Sequence, residues 1–502
     1  MRKDTKIISE IGIFFKKSAE NKAIYSIMDV ISSVRLQERQ IGIQKNANCK
    51  FSVLHIFHLL LLFPFFSVKN IYHFADSGLS QMFSAEKDVF YRFLSNDNIR
   101  WRDILYAVNR QLITKLEIRK DSKESKDPVC LVADDSDHPK TGIHTELIGR
   151  IHSHVDHKSK LGYKGLYLMR TDGKTQTVLD FSLHGEQGKD SSKPQGLTKK
   201  QREERYTKER SADSVVSTRI SEYTDSKLDC LIKQVKRAIQ KKVRFDYLLV
   251  DSWFTCKELV HFVRTKCHKI HLLGMIKMGK TEYSTEFGDK NASEIVEKIK
   301  TLDKKANRKN GGKRIKYSRQ YRCHYFCVDA MLDGKKLRLF FCKRGKNGNW
   351  KGLLTTNTKL SFMEAYKIYA MRWSIEVYFH EAKGLLRLGQ CQCRDFSSQI
   401  ASISIAILQY NILSVVKRFE SYQTIGGLFN QTLSGTLELS VTSKIWALLL
   451  ETIVEIAELL SADVDDIIAT IVQNNPKTKF FFDNYTARQV GRLALAKLES
   501  KI

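Results

Sequence analysis

The sequence predicts an α/β protein: a mixed-sheet core, interrupted by a β-rich insertion and flanked by N-terminal and C-terminal helical regions. Three observations carry that prediction. At Asp127-Pro128 a basic stretch with helical periodicity gives way to apolar runs of strand length. From there to Lys277 the runs follow the order strand, strand, strand, helix, strand, helix, strand. From Gly279 to about Leu360 the chain is rich in Lys, Arg and Gly, with alternating strands about Asp333-Gly334.

Composition sets the outer limits. A chain of 502 residues holds one large domain with additions, or roughly two to four domains. Hydrophobic residues make up 42%, enough for real cores and too many for a disordered chain. Lys and Arg total 84 against 55 for Asp and Glu, a net charge of +29 with a pI near 9.6. Such an excess points to a polyanionic partner, nucleic acid first and an anionic membrane surface second. The first twenty residues carry charges throughout and lack the apolar stretch of a secretory signal. The apolar run VLHIFHLLLLFPFF, Val53 to Phe66, falls short of the roughly 20 residues of a spanning helix and reads as a buried core helix. The ten cysteines are scattered, and the pairs Cys323/Cys327 and Cys391/Cys393 lack partner pairs at zinc-ribbon spacing, so reduced thiols are expected.

In chain order, FSAEKDVFYRFLSNDNIRWRDILYAVNRQL reads as two helices around a turn at Ser95 to Asn98. It suits a DNA-binding module, with Lys87, Arg92, Arg100 and Arg102 on a basic face, or a plain helical hairpin. PVCLVADDSDHPK is a short buried strand, Val129 to Ala133, ending in acids. HPKTGIHTELIGRIHSHVDH reads as a polar loop, although His152, His154 and His157 also allow a metal site. GLYLMRT and TQTVLDFSLHG flank the hairpin signal Asp172-Gly173, so the first three strands form one antiparallel meander. The charged segment Gln187 to Arg210 reads as an exposed loop or solvated helix in reach of phosphate. A helix around Ser221 to Ala238, a strand Tyr247 to Val250 closed by Asp251, a helix in CKELVHFVRT and a strand in KIHLLGMIK complete the core. The runs IASISIAILQYNILSVV and KIWALLLETIVEIAELL near the C-terminus are buried or interfacial helices.

Three antiparallel strands followed by αβαβ describe a ribonuclease-H-like core. In it the first and fourth strands are neighbours, which sets Asp135 beside Asp251. Two adjacent carboxylates repel unless a cation lies between them, and hard oxygen ligands suit Mg²⁺ or Mn²⁺. Phosphodiester chemistry commonly uses two such ions, one activating the attacking oxygen and one stabilising the leaving oxygen. The helix YAMRWSIEVYFHEAKG, Tyr369 to Gly384, offers the third acid. Tyr369, Arg372, Glu376 and Lys383 follow one another at helical steps and share one stripe. Glu376 is the candidate third ligand, Arg372 and Lys383 the candidate phosphate contacts, and Tyr369 a hydroxyl for a phosphate or a ring for a base. The alternative is an amphipathic surface helix with an Arg372–Glu376 pair worth a few tenths of a kcal/mol. His380 lies four residues after Glu376, but the rest of a zinc-protease helix is missing.

Tyr369-x2-Arg372-x3-Glu376-x6-Lys383 resembles the Y-R-E-K signature of bacterial DDE insertion-sequence transposases. Asp134-Asp135-Ser136 is similar to the family's first-aspartate context, and Asp251 closes a strand as its second aspartate does. The resemblance spans roughly residues 128 to 395. It implies a ribonuclease-H-like catalytic core, two Mg²⁺ or Mn²⁺ ions, and cut-and-paste movement of a DNA element with inverted terminal repeats. By the family pattern the aspartate directly before the hydroxyl residue is the ligand, which selects Asp135 over Asp134 and Asp137. In relatives that close cut DNA flanks as hairpins, a Trp late in the insertion receives a flipped base. Trp350 in KRGKNGNWKGLLTTNT lies in a similar place, though it could equally pack the insertion onto the core. The basic run Lys304 to Lys316 suits phosphates.

The expected organisation is a helical DNA-binding region at 1–125, the first part of the core at 126–278, the insertion at 279–360, the last catalytic helix at 361–395 and a helical region that could dimerise at 396–502. The resemblance implies terminal repeats and target DNA as partners, a homodimer on DNA, no membrane, and a bacterial cytoplasmic, nucleoid-associated location. The alternatives are a metal-dependent nuclease without strand transfer and a non-catalytic DNA-binding derivative.

Overall fold

The computed structural model describes residues 22–43, 50–83, 85–118, 127–153, 156–188, 190–267, 269–308, 312–345, 347–420 and 422–434, together with Thr452, Ile456 and Leu459. The chain divides into two compact units. One comprises Met1–Leu112, Glu381–Cys391 and Ser397–Ile502; the other comprises Ile113–His380 and Gln392–Phe396.

The first unit is helical. Counting helices of eight residues or more, it begins with α1 (Lys22–Ser33), α2 (Val53–Leu62), α3 (Lys87–Leu94) and the body of α4 (Trp101–Ile118). Ser52 caps α2 by accepting the amide of His55, and Ile56 to Leu62 are all buried. This is the core helix expected from the apolar run. Phe63, Phe74 and Phe90 pack with ring centroids 4.9 to 5.7 Å apart. The turn between α3 and α4 falls where Ser95 to Asn98 predict it. Lys87, Arg92 and Arg100 are exposed around it, while Arg102 is half-buried.

The second unit is built on a 12-stranded mixed sheet. Its first strands are β1 (Cys130–Pro139), β2 (Gly149–Ser153), β3 (Lys158–Thr171) and β4 (Gln176–His184). Helices α5 (Val215–Thr224) and α6 (Lys227–Gln240), β5 (Tyr247–Val250), α7 (Lys257–Lys266) and β6 (His271–Ile276) follow. The insertion supplies β7 (Glu282–Thr285), β8 (Gly288–Asn291), α8 (Ala292–Arg308), β9 (Lys316–Ser318), β10 (Cys323–Leu332), β11 (Lys335–Arg344) and β12 (Lys351–Thr355). Then come α9 (Phe362–Ala370), a 3₁₀ turn (Met371–Trp373) and α10 (Ser374–Leu385). The strand order is β2-β3-β1-β5-β6-β12-β11-β10-β7-β8, with β4 on β3 and β9 on β10. β1 runs antiparallel to β3 and parallel to β5, and β5 runs parallel to β6.

Several local expectations change. The first strand runs five residues past Asp134, so Asp134 and Asp135 lie within it rather than at its end. The histidine-rich loop contains β2, which pairs with β3 and gives the expected meander a further strand. The helix expected at Ser221 to Ala238 is two helices, because Ser226 stops the first and caps the second by accepting the amide of Asp229. The insertion is not purely β: α8 lies inside it. β12 also joins β6 directly, so the insertion extends the core sheet. Asp333 and Gly334 both have positive φ, 50° and 71°, as the two-residue turn between Leu332 and Lys335 requires. Within 187–210, Arg210 is not a solvated charge: it forms a buried fork on Glu146.

The final long helix, α11 (Phe396–Phe419), belongs to the first unit from Ser397 onward. Among the described residues it is the one helix long and apolar enough to cross a membrane, and 94% of its most apolar window is buried in the protein. Its polar residues find protein partners, with Gln409 donating to the Leu60 carbonyl and Asn411 to Asn109, each at 2.9 Å. The second C-terminal helix expected from the sequence, KIWALLLETIVEIAELL, lies outside the described residues. Among the described residues no cysteine forms a disulfide.

Candidate functional site

The acids converge because β1 and β5 are parallel neighbours. The register pairs Val132 with Leu249, and Asp134 and Asp251 each follow two residues further on. Asp251 closes β5 and turns its carboxylate back onto the chain. Its Oδ1 accepts the amides of Trp253 and Phe254 at 3.0 and 3.1 Å. That Asx-type turn fixes the strand end.

The chain from α9 to α10 brings the remaining groups. Ser361 and Glu364 form a capping box that starts α9. The single helix expected from Tyr369 to Gly384 is instead interrupted by the 3₁₀ turn at Met371–Trp373. Tyr369 Oη donates to the Val250 carbonyl at 3.2 Å, the residue before Asp251. Burial pushes the Tyr369 hydroxyl up to about 12, so it stays a donor. Arg372 donates from Nη1 to Asp134 Oδ2 at 2.8 Å and from Nη2 to Glu376 Oε1 at 2.6 Å. Phe379 and Tyr378 pack edge-on against Tyr167 of β3, which holds α10 to this face of the sheet.

The first acid on this face is Asp134, not Asp135. Side chains alternate along a strand, so consecutive aspartates point to opposite faces. Asp134 pairs across the ladder with Tyr167, on the side of α10. Asp135 faces the other way, where its carboxylate takes the ammonium of Lys227 from α6. The family pattern favours Asp135 from its place before Ser136; on the face that carries Arg372 and α10 the strand pleat presents its neighbour Asp134. Asp137 shares the Asp135 face and pairs with the buried Lys164, which also donates to the His152 carbonyl at 3.0 Å.

Burial, followed by the like charges of Asp251 and Asp135, raises the Asp134 carboxyl to about 7, even though Arg372 and the Asp135 amide pull it down. A carboxyl held up chiefly by burial is one whose ionised form a cation would stabilise. The donor set at Asp134 and Asp251 is all carboxylate oxygen and so fits a hard divalent cation. Glu376 reaches Asp134 through the Arg372 guanidinium. Among the described residues, no three His, Cys, Asp or Glu side chains are gathered as a metal-binding group. His152 is exposed on β2 and His157 on the turn that follows, His154 lies outside the described residues, and His380 is exposed on α10.

Of the two readings of Trp350, an exposed aromatic or a packing one, the contacts fit packing, with the ring half-buried. It packs on Phe326 with ring centroids 5.2 Å apart, and its indole nitrogen is buried. The described tryptophans at the surface are Trp253, 49% exposed, and Trp373, 62% exposed. Each adjoins a site residue, Trp253 two positions after Asp251 and Trp373 next to Arg372. Lys227 Nζ lies 4.3 Å from the centroid of the Trp253 ring while bonded to Asp135. Lys227 and both tryptophans were missed from sequence. The only signal was position: an aromatic within two residues of a candidate acid or cation. Lys383 follows Glu376 along α10, in the stretch that clusters with the first unit. In the basic run Lys304 to Lys316, Lys304 and Lys305 are exposed. Arg314 pairs with Glu286, and residues 309–311 lie outside the described residues.

Residues 215–412 match the family described as the transposase DDE domain. The match takes in Asp251, Tyr369, Arg372, Glu376 and Lys383 and begins after Asp134. It supports a DDE-type transposase. No curated protein matches the chain. Among solved structures, the cryo-EM structure of the piggyBac transposase synaptic complex with hairpin DNA is similar at 13% sequence identity, over 82% of this chain and 79% of that one. The TM-score between the two is 0.38.

Proposed function

We propose that this chain is a DNA transposase that moves an insertion sequence by cut-and-paste, cleaving element ends and joining them to target DNA. The observation that carries the reading is the Asp134–Arg372–Glu376 bridge beside Asp251, with the last three residues inside the transposase DDE match. The order β4-β3-β1-β5-β6, with β3 antiparallel, supports a ribonuclease-H-like core.

In this reading Asp134, Asp251 and Glu376 would hold a pair of Mg²⁺ or Mn²⁺ ions, which would supply positive charge at the attacking and leaving oxygens. The protein's own groups position the strand. Arg372 offers a planar fork matched to phosphate, and Lys383 adds a point charge further along the helix. Tyr369 ties the end of β5 to α9, so Asp251 and Glu376 keep their spacing. Trp253 and Trp373 take the base-stacking role first assigned to Trp350. The basic helices α3 and α4 bind the terminal repeats, and the chain acts on DNA as a homodimer, since two element ends must be processed together.

The test is to incubate the full chain and Mg²⁺ with supercoiled DNA carrying the element's ends, alongside Glu376→Ala. End-specific 3′ nicks followed by joined products, lost in the variant, are expected. Cleavage without joining would favour a nuclease. Binding with no cleavage in Mg²⁺ or Mn²⁺ would favour a non-catalytic derivative.

A further inference from the structure

We infer that Arg372 gates the acid site: its guanidinium occupies Asp134 and Glu376 until a DNA phosphate draws it away, so cation loading follows DNA binding. The inference rests on the reading of Asp134, Asp251 and Glu376 as the cation-binding acids.

One guanidinium serves two carboxylates, through Nη1 at 2.8 Å and Nη2 at 2.6 Å. Both bonds are charge-assisted and short. The Arg372 side chain is 15% exposed and that of Asp134 19%, so water screens this contact only partly. A dication entering between the same carboxylates must displace two strong hydrogen bonds or sit against a positive charge at close range. Arg372 and the cation therefore compete for the same oxygens.

The position of Arg372 gives it somewhere to go. It stands on the 3₁₀ turn through which α9 runs into α10, beside the exposed Trp373, and its long side chain can swing without moving the backbone. Phosphate accepts the same planar fork as carboxylate, so a DNA strand offers an exchange of like for like. Once the arm has moved, Asp134 keeps Asp251 as its like-charged neighbour, and Glu376 loses its partner too. That leaves a site with excess negative charge, which a divalent cation satisfies. The order protects DNA-free enzyme from holding an armed site. Linkage also requires reciprocity: if DNA tightens cation binding, the cation tightens DNA binding by the same factor.

The experiment titrates Mn²⁺ into the full chain and reads free Mn²⁺ by electron paramagnetic resonance, with and without a short non-specific duplex at low salt. Wild type is expected to bind weakly alone and about tenfold or more tightly with DNA, the factor implied by freeing a charge-assisted pair. Arg372→Ala is expected to bind tightly without DNA and to gain little from it. Arg372→Lys, which keeps the charge but loses the fork, should fall between and guards against an alanine variant that fails to fold. Wild-type affinity indifferent to DNA, with Arg372→Ala unchanged and Asp251→Asn abolishing binding, would overturn the gate and leave the acid site standing. Mn²⁺ binding that survives Asp251→Asn would overturn both.

Discussion

Asp134 and Asp135, adjacent in sequence, serve opposite faces of one strand: Asp134 bonds Arg372 at 2.8 Å on the side of α10, and Asp135 bonds Lys227 on the side of α6. The pleat of β1 separates them, because both lie inside a strand that runs on to Pro139. Each acid thus holds a cation, and each cation lies near an exposed tryptophan, Trp373 on one side and Trp253 on the other.

The two acids should separate cleanly by substitution. Asp134→Asn is expected to lower DNA cleavage by at least about a hundredfold, as loss of a direct ligand exceeds the 10 to 100-fold typical of a supporting residue. Asp135→Asn should cost about tenfold or less. Cleavage rates of the two variants in Mg²⁺ decide it, and equal losses would argue against the face assignment.

The tryptophans should divide between stability and binding. Trp350→Ala removes packing on Phe326 and should lower stability by about 2 to 3 kcal/mol, toward the low end for a large aromatic because the ring is only half-buried. Trp253→Ala should leave the melting temperature nearly unchanged and weaken single-stranded DNA binding by about 1 to 3 kcal/mol. Thermal melts and fluorescence anisotropy on both variants test this; a stable Trp350→Ala with impaired binding would reverse the roles.

A buried ion network behind β4 should prove costly to break. Asp180 is fully buried, with Arg237 Nε at 2.7 Å and Arg219 Nη1 at 3.8 Å; Glu222 lies within 3.9 Å of both arginines. Asp180→Ala removes the nearest carboxylate from two arginines and leaves Glu222 to serve both, and is expected to cost about 3 kcal/mol, the low end for breaking a buried pair. Chemical unfolding measures it. A loss below 1 kcal/mol, on the order of an exposed pair, would mean water reaches the network.

His184 makes stability depend on pH. Burial pulls its pKa down to about 4. Its Nε2 meets Ser182 Oγ at 2.7 Å and its Nδ1 the Asp225 carbonyl at 3.2 Å, which a neutral ring satisfies with one proton on Nδ1. Between about pH 6.5 and 4 the unfolded chain binds a proton that the folded chain refuses, so stability falls as pH drops through that window. The loss should be on the order of 3 kcal/mol, and His184→Gln should remove it. Unfolding curves at pH 7 and near pH 4 compare the two proteins.

Much of the sheet was legible because its signals are local. The strand at Tyr247–Val250 matches the sequence reading to the residue, and Asp333-Gly334 turns where only small positive-φ residues can. Other features depended on partners distant in sequence. The strand β2 is a histidine-rich, polar stretch with no apolar run of its own; it exists because β3 is long enough to pair with it. The tightening of the helix to a 3₁₀ turn at Met371–Trp373 carries no Pro or Gly to announce it.

The sequence by itself determined which chemical groups are available: a run of acids after one apolar strand, Asp251 after another, and Tyr369, Arg372, Glu376 and Lys383 at helical steps. Spacing and apolar periodicity encode such things directly. Only the tertiary structure decided which aspartate meets Arg372, that Lys227 takes the other, and that Trp350 packs inside while Trp253 and Trp373 remain at the surface. Those choices turn on which face of a strand a neighbour covers, and a shift of one residue reverses the face without changing the composition.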